Sequence, residues 1–507
     1  MVVDVVRESA GAGRIVLWEE SARDGAQAKT LMTPGFRVEL AREMGRMFGA
    51  DGPRHVVFAA GFPAVCGEEF EAVRRVAAEA EGAVSVAAVC RGARRDLEQA
   101  VASVRGSRHA RVMVVVPASE AMAQVMVHRT AREALQAGVD LVKHARDLDD
   151  GVAVDICLAD ASRADHALMA HYAQAMTDAG AGVIVLADTV GAQLPFACGE
   201  MFRRVRAGCG AGGGAEAGLV AGGGAGAGRA AGGDAEVGLA GGGDAEVGFA
   251  AGGEGPAGRA GGGTGRGTPA GRAAGGIEVV LASHLHNDLG LGLANTLEAL
   301  AAGVRVVSSS WLGIAERAGM VATEQLLFLL ARHGDELLGG GGVQPGVGGA
   351  PTRDGRGPAT GPEAGLWWTE PDLTRLPGIA RRVAEETGVP LTVTTPIVGA
   401  GVGSISTGTP FVHPTLFQPF DPEEVLGIEP RVVLTHLASA RVVTAVAGRL
   451  GHTLDAGQNR AAMAWVKERA YRTGRAVVED TAFADYLAGL KASINRTDPN
   501  SSTGGLR

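Results

Sequence analysis

Residues 277–288 read Ile277-Glu278-Val279-Val280-Leu281-Ala282-Ser283-His284-Leu285-His286-Asn287-Asp288. The first six form a short apolar run of the kind that makes a buried strand. Side chains alternate sides along a strand, so His284 and His286 share the face opposite Leu285. Two imidazoles on one face at a strand's C-terminal end can take two adjacent positions around a divalent metal ion. A third ligand is then needed. Arg14-Ile15-Val16-Leu17-Trp18 is another strand-like run, and it leads through Glu19-Glu20-Ser21-Ala22 into Arg23-Asp24-Gly25, where Asp24 offers a carboxylate. A lone pair of strand histidines is more often a packing or surface feature. The coincidence with Arg23-Asp24-Gly25 is what turns the reading toward a metal.

Outward from these two strand ends, short apolar runs alternate with longer amphipathic segments, the pattern of repeated βα units around a parallel sheet. Strands are expected over 14–18, 55–60, 84–89, 111–116, 152–158, 182–187, 277–282 and 304–309. Helices are expected between them, such as 68–81, 121–146, 164–179 and 295–302, where apolar residues recur at three- and four-residue spacing. Eight such units imply an α/β fold, a (β/α)8 TIM barrel over residues 1–335. Without one insertion that span is roughly 265 residues, near the ~250 usual for the fold.

The insertion, 208–276, is a glycine/alanine tract in which Gly232-Gly233-Asp234-Ala235-Glu236-Val237-Gly238 recurs imperfectly as Gly242-Gly243-Asp244-Ala245-Glu246-Val247-Gly248. Lacking large side chains, it cannot offset the entropy of ordering, so a disordered excursion is expected. It falls between the sixth helix and the seventh strand, on the face away from the catalytic loops. A second glycine/proline-rich stretch, 339–365, reads as a linker. Beyond it, 366–495 is expected to be a small helical accessory region, with helices over 370–387 and 432–450 and a pair within 455–492. Residues 496–507 are expected to be a flexible tail.

Composition narrows the partners. The 507 residues carry Lys+Arg 47 against Asp+Glu 56, a net charge of -9, which gives no general attraction to nucleic acid or to an anionic membrane. Cys66, Cys90, Cys157, Cys198 and Cys209 are scattered without a C-x-x-C pair, as reduced thiols of a cytosolic protein would be. The N-terminus lacks a signal-peptide core, and no apolar run approaches the ~20 residues of a membrane span. A soluble cytoplasmic protein is expected.

Arg23-Asp24-Gly25-Ala26-Gln27 together with His284-Leu285-His286-Asn287-Asp288 resembles the metal site of the DRE-TIM metallolyase superfamily. Three more stretches extend the resemblance: Ala60-Gly61-Phe62-Pro63, Leu186-Ala187-Asp188-Thr189-Val190-Gly191 and Gly313-Ile314-Ala315-Glu316-Arg317-Ala318-Gly319. The order of segments after the barrel is similar to that of 2-isopropylmalate and homocitrate synthases. What the resemblance implies is an acyltransferase that condenses acetyl-CoA with a 2-oxo acid. It implies Asp24, His284 and His286 as ligands of one Mg²⁺, Mn²⁺ or Zn²⁺ ion, and Arg23 as a cation for enolate or carbonyl charge. Thr189, Arg163 and Arg23 become candidates for the oxo-acid carboxylate, and Asp160 a candidate for proton transfer. The plainer alternatives are that Arg23 pairs with a barrel carboxylate and that Thr189 only ends a strand. A homodimer is expected, and feedback control through an extra effector domain is not.

The pattern also has departures. The family's F-S-x-E-D-A-x-R stands here as Ile156-Cys157-Leu158-Ala159-Asp160-Ala161-Ser162-Arg163, so Ala159 replaces a glutamate implicated in the reaction. Met320 replaces an asparagine, Ala59 a glutamate and Met113 a histidine, while Thr407-Gly408-Thr409-Pro410 stands where a histidine is usual. His413 and His436 are then further candidates to move the proton. The losses fit an unusual acceptor, such as the phosphorus-containing oxo acid of 2-phosphinomethylmalate synthase. They also fit a metal-dependent carbon–carbon lyase of the superfamily or a non-catalytic barrel.

Overall fold

The eight apolar runs pair in sequence order. In the computed structural model, which describes residues 3–210, 277–338 and 365–497, they are β1 (Val16–Glu19), β2 (Val56–Gly61), β3 (Ser85–Arg91), β4 (Ala110–Pro117), β5 (Ala153–Ala159), β6 (Ile184–Asp188), β7 (Leu281–Leu285) and β8 (Val306–Ser309). All neighbours are parallel, and β8 returns to pair with β1, so the sheet closes into the expected TIM barrel. The runs read as continuously apolar because both faces are buried. Val16, Trp18, Val57, Val89, Met113, Cys157, Val185 and Ala282 pack together inside the barrel. The intervening residues, such as Leu17, Phe58, Val112, Ile156 and Leu186, pack outward beneath the helices.

Among the boundaries that differ from expectation, three have a clear physical cause. β7 starts at Leu281 rather than 277, because its register is set by β6, with Ile184 opposite Leu281 and Ala187 opposite His284. His284 therefore lies inside the strand. His286 is the first residue beyond it, bridged to Met320. The single helix expected over 121–146 is two, Glu120–Val127 and Ala131–Leu148. They are separated by His128 in a left-handed conformation (φ 55°), and the second is started by a capping box between Thr130 and Glu133. Local side-chain caps here override a periodicity that runs straight through. After the linker, the helix expected over 432–450 is Ala440–Arg449. The β-branched stretch before it is extended instead: Arg431–Val432 pairs with Ser404–Ile405, and Leu434–Thr435 with Val477–Val478.

The segment after the linker is not uniform. Its first part joins the barrel: Leu366 accepts a hydrogen bond from Ile15 N at 2.8 Å, Trp367 packs on Phe48 and His55, and helix Leu376–Thr387 shares the barrel's outer core. Its later part has its own core of Leu434, Val442, Val446, Val466 and Phe483, built on helices Ala440–Arg449, Ala456–Thr473 and Asp480–Thr497. The glycine/alanine excursion, the linker and the tail lie outside the described residues, apart from 208–210, 365 and 496–497. Among the described residues no helix is long and apolar enough to cross a membrane.

Candidate metal centre

Alternation along β1 sends Val16 and Trp18 into the barrel and continues to Glu20. The Glu20 carbonyl then accepts from the backbone N–H groups of Arg23, Asp24 and Gly25, a turn that carries Asp24 back over the strand end. On β7 the same alternation sends Ala282, His284 and His286 inward. Asp24 Oδ2 lies 3.2 Å from His284 Nε2 and 3.7 Å from His286 Nε2, and all three side chains are buried. Asp24 Oδ1 accepts from Glu316 N at 3.4 Å, whereas Oδ2 has no well-formed hydrogen bond.

An ion with bonds of about 2.1 Å spaces its ligand atoms about 3.0–3.4 Å apart. Asp24 Oδ2 already stands near that spacing from both imidazoles, the three donors lie within 4.8 Å of one another, and among the described residues they are the one group of this kind able to hold a metal ion. One oxygen and two nitrogens suit several divalent ions. Burial pushes the Asp24 carboxyl up, but Arg23 and the two histidines outweigh it and hold it well below the usual carboxylate range. For His284, burial acts downward, yet Asp24 and Glu20 overcome it and lift the imidazole to about 9. His286 is pressed down to about 4 by burial and by repulsion from His284. Near neutral pH His284 thus carries one proton more than a neutral imidazole, which a metal ion would displace.

Arg23 lies beside this group, with Nε 3.0 Å from Glu20 Oε2 and Nη1 3.7 Å from Asp24 Oδ2. It therefore does pair with a barrel carboxylate, and it also borders the three donors. Cys157, inward on β5, feels the same charges, but burial pushes its thiol up to about 12.

The other candidates form a separate knot at the ends of β5 and β6. Asp160 is buried with φ 64°, and its carboxylate accepts from Arg163 Nε at 2.7 Å and from the Ser119 hydroxyl. Its backbone N–H donates to the Thr189 hydroxyl at 2.9 Å. His413 is exposed and His436 packs edge-on to Tyr471, and neither belongs to the group around Asp24. Above the histidines, Arg317 donates to both oxygens of Asp288, at 2.9 and 3.0 Å, and to the Thr189 carbonyl at 2.6 Å, tying three loops together. Gly191 sits against this clasp with φ +65°, and a Cβ there would lie 2.3 Å from Asp288 Oδ2.

Sequence reasoning passed over Glu20. The available signal was its even spacing from Val16 and Trp18, which places a carboxylate inside the barrel directly after an apolar strand.

A closed (β/α)8 barrel whose strand ends gather one carboxylate and two imidazoles defines the class structurally. Within it, the chain belongs to the HMGL-like family, whose model matches residues 14–213 and 274–347 on either side of the glycine/alanine tract. The chain is 24% identical over 484 residues to a protein named 2-isopropylmalate synthase 1 from Caldanaerobacter subterraneus subsp. tengcongensis, covering 93% of this chain and 95% of that one. It is 28% identical over 315 residues to a 2-isopropylmalate synthase of Solidesulfovibrio magneticus, covering 62% of this chain. There, and in the enzyme of that name from Nitrosospira multiformis, the match spans about half of the relative's length, 47% and 49%. Among solved structures, a Bacillus subtilis HMG-CoA lyase aligns at 16% identity and a TM-score of 0.46, over 75% of this chain and 95% of that one.

Proposed function

We propose that the protein is a metal-dependent acyltransferase that condenses acetyl-CoA with a 2-oxo acid to give a 2-substituted malate and free CoA. The observation that carries this is the convergence of Asp24, His284 and His286 around an Asp24 oxygen that lacks a well-formed hydrogen bond. Similarity to proteins named 2-isopropylmalate synthase supplies the reaction class. An Mg²⁺, Mn²⁺ or Zn²⁺ ion held there would supply Lewis-acid polarisation of the acceptor's carbonyl.

The remaining work falls to the chain. A proton leaves the acetyl methyl group, the resulting carbanion adds to the keto carbon and the keto oxygen gains a proton. Water then cleaves the thioester and releases CoA. The Arg23 guanidinium offers a fixed cation for charge developing on oxygen. Because the Thr189 oxygen already accepts from Asp160 N, its hydroxyl hydrogen is free to donate to the acceptor's carboxylate, with the half-exposed Arg163 guanidinium nearby. Both Asp160 and Arg163 are engaged with one another, so in this proposal Asp160 positions Arg163 and the β5 turn. A cytoplasmic homodimer completes the proposal.

Free-thiol release should be measured with 2-oxoisovalerate, 2-oxoglutarate, oxaloacetate and a phosphinopyruvate-type acid. Release is expected with one of them, dependent on added metal and lost in Arg23→Ala. Silence across the panel with metal demonstrably bound would overturn the condensation.

A further inference from the structure

Glu20 is wholly buried at the inward end of β1, and nothing in the reaction above uses it. A carboxylate without water must be met by donors. Those that meet it are Arg23, with Nε 3.0 Å from Oε2 and Nη2 3.4 Å from Oε1, and His284, with Nδ1 3.4 Å from Oε1. His284 Nδ1 is itself a buried nitrogen without a well-formed hydrogen bond. An orphaned ring nitrogen thus faces a carboxylate oxygen, Oε1, whose other donor is Arg23 Nη2, across a gap that a closure of about 0.5 Å would turn into a charge-assisted hydrogen bond. The opposite nitrogen of the same ring, Nε2, points at Asp24. His286 has no such arrangement: among the described residues the carboxylate within 4 Å of it is Asp24, on the Nε2 side, and its Nδ1 has no well-formed hydrogen bond. Ala159 leaves the inward end of β5 without a carboxylate that could share the task.

We infer that Glu20 is a positioning residue of the metal centre. Its carboxylate accepts from His284 Nδ1–H, fixes the tautomer whose Nε2 lone pair faces Asp24, and holds Arg23 against the ligand set. The inference rests on the reading of Asp24, His284 and His286 as a metal centre. A carboxylate behind a ligating imidazole orients the ring and raises its basicity, and its loss typically costs 10–100-fold in metal affinity. Glu20 reaches His284 but not His286, so its effect should be confined to one of the two rings.

The test uses the full chain and Zn²⁺ alone, with affinity read by competition against a chromophoric chelator and the histidine tautomers by ¹⁵N NMR of the loaded protein. Glu20→Ala should weaken Zn²⁺ binding by about 10–100-fold and remove the fixed Nδ1–H tautomer of His284 while leaving that of His286 unchanged. Glu20→Gln keeps an acceptor oxygen and should recover most of the loss. If Glu20→Ala does not fold, Glu20→Thr, too short to reach Nδ1, takes its place. Wild-type protein that binds no Zn²⁺ overturns the metal-centre reading itself. Wild type that binds, with Glu20→Ala within twofold of it and the His284 tautomer unchanged, overturns the role of Glu20 alone.

Discussion

The two ends of the barrel each bury a cluster of charges, and the clusters are built on opposite terms. At the N-terminal end, Arg111 Nε and Nη2 donate to the two oxygens of Asp155 at 2.9 and 2.6 Å, while Nη1 and Nη2 reach Asp4 from the N-terminal segment. Every charged atom in that triad has a partner. At the C-terminal end, Asp24 Oδ2, Glu20 Oε2, Arg23 Nε and both histidine Nδ1 atoms lack a well-formed bond, though opposite charges stand within 4 Å. Leaving buried polar atoms unmatched costs about 1–3 kcal/mol each, more for charged groups. A closed cluster holds the fold together, and an open one holds room for a ligand.

The sharpest way to break this comparison is to remove one donor from the open cluster. His284→Ala should abolish near-stoichiometric metal binding, a loss of more than about 100-fold in affinity, and should take thiol release to background. Thermal stability in chelator should fall, since the variant removes the charged imidazole held by Asp24 and Glu20 and leaves those buried carboxylates to Arg23 alone. Metal analysis after gel filtration and melting curves in EDTA check both halves. An equal metal content in variant and wild type would remove the basis for calling this cluster open.

The mirror-image variant acts on stability instead. Arg111→Ala strands Asp155 in the interior, with side-chain exposures of 3% for Arg111 and 0% for Asp155, and should cost about 3–5 kcal/mol in urea unfolding. The metal content of the protein that still folds should be unchanged. A loss of metal without a loss of stability would invert the assignment of the two ends.

The smallest effect separates the adjacent residues Glu19 and Glu20. Glu19 faces away from the barrel interior and, among the described residues, pairs with no cation. Ser21 N and its hydroxyl donate to one oxygen, and burial raises the carboxyl to about 8. Burial likewise lifts Glu324 to about 7. Unfolded, both would titrate near their ordinary 4.5. Between that value and 7–8 the folded chain keeps protons that the unfolded chain has lost. The stability these groups contribute is therefore full below about 4.5 and declines as pH rises through 7 to 8. Urea midpoints of metal-free protein between pH 5 and 8 should show this fall, and Glu19→Gln with Glu324→Gln should flatten it. A slope unchanged in the double variant would mean that neither carboxyl is protonated in the folded state.

The barrel was legible because its signal is local. Each strand is apolar on both faces, and each helix shows its own period, so the pattern of eight units needs no knowledge of what touches what. The inward direction of His284 and His286 is equally local, a consequence of alternation about Leu285. Where local rules compete, periodicity misleads: the helix break at His128 follows from side-chain caps, and the extended stretch before Ala440 follows from β-branched residues that an apolar count does not weigh.

From the sequence alone come the parallel barrel and the shared inward face of His284 and His286, with Asp24 as a candidate chemical complement through its position after a strand. What the tertiary structure decided is the distance between strand ends. That Asp24 Oδ2 comes within 4 Å of both imidazoles depends on β8 closing onto β1 and on the register of β7 against β6. The split of the polar candidates into one knot around Asp160 and another around Asp24 depends on the same closure, as does the approach of Glu20 to His284. Alternation is a property of one chain segment, whereas the meeting of distant segments is set by how the whole sheet shuts.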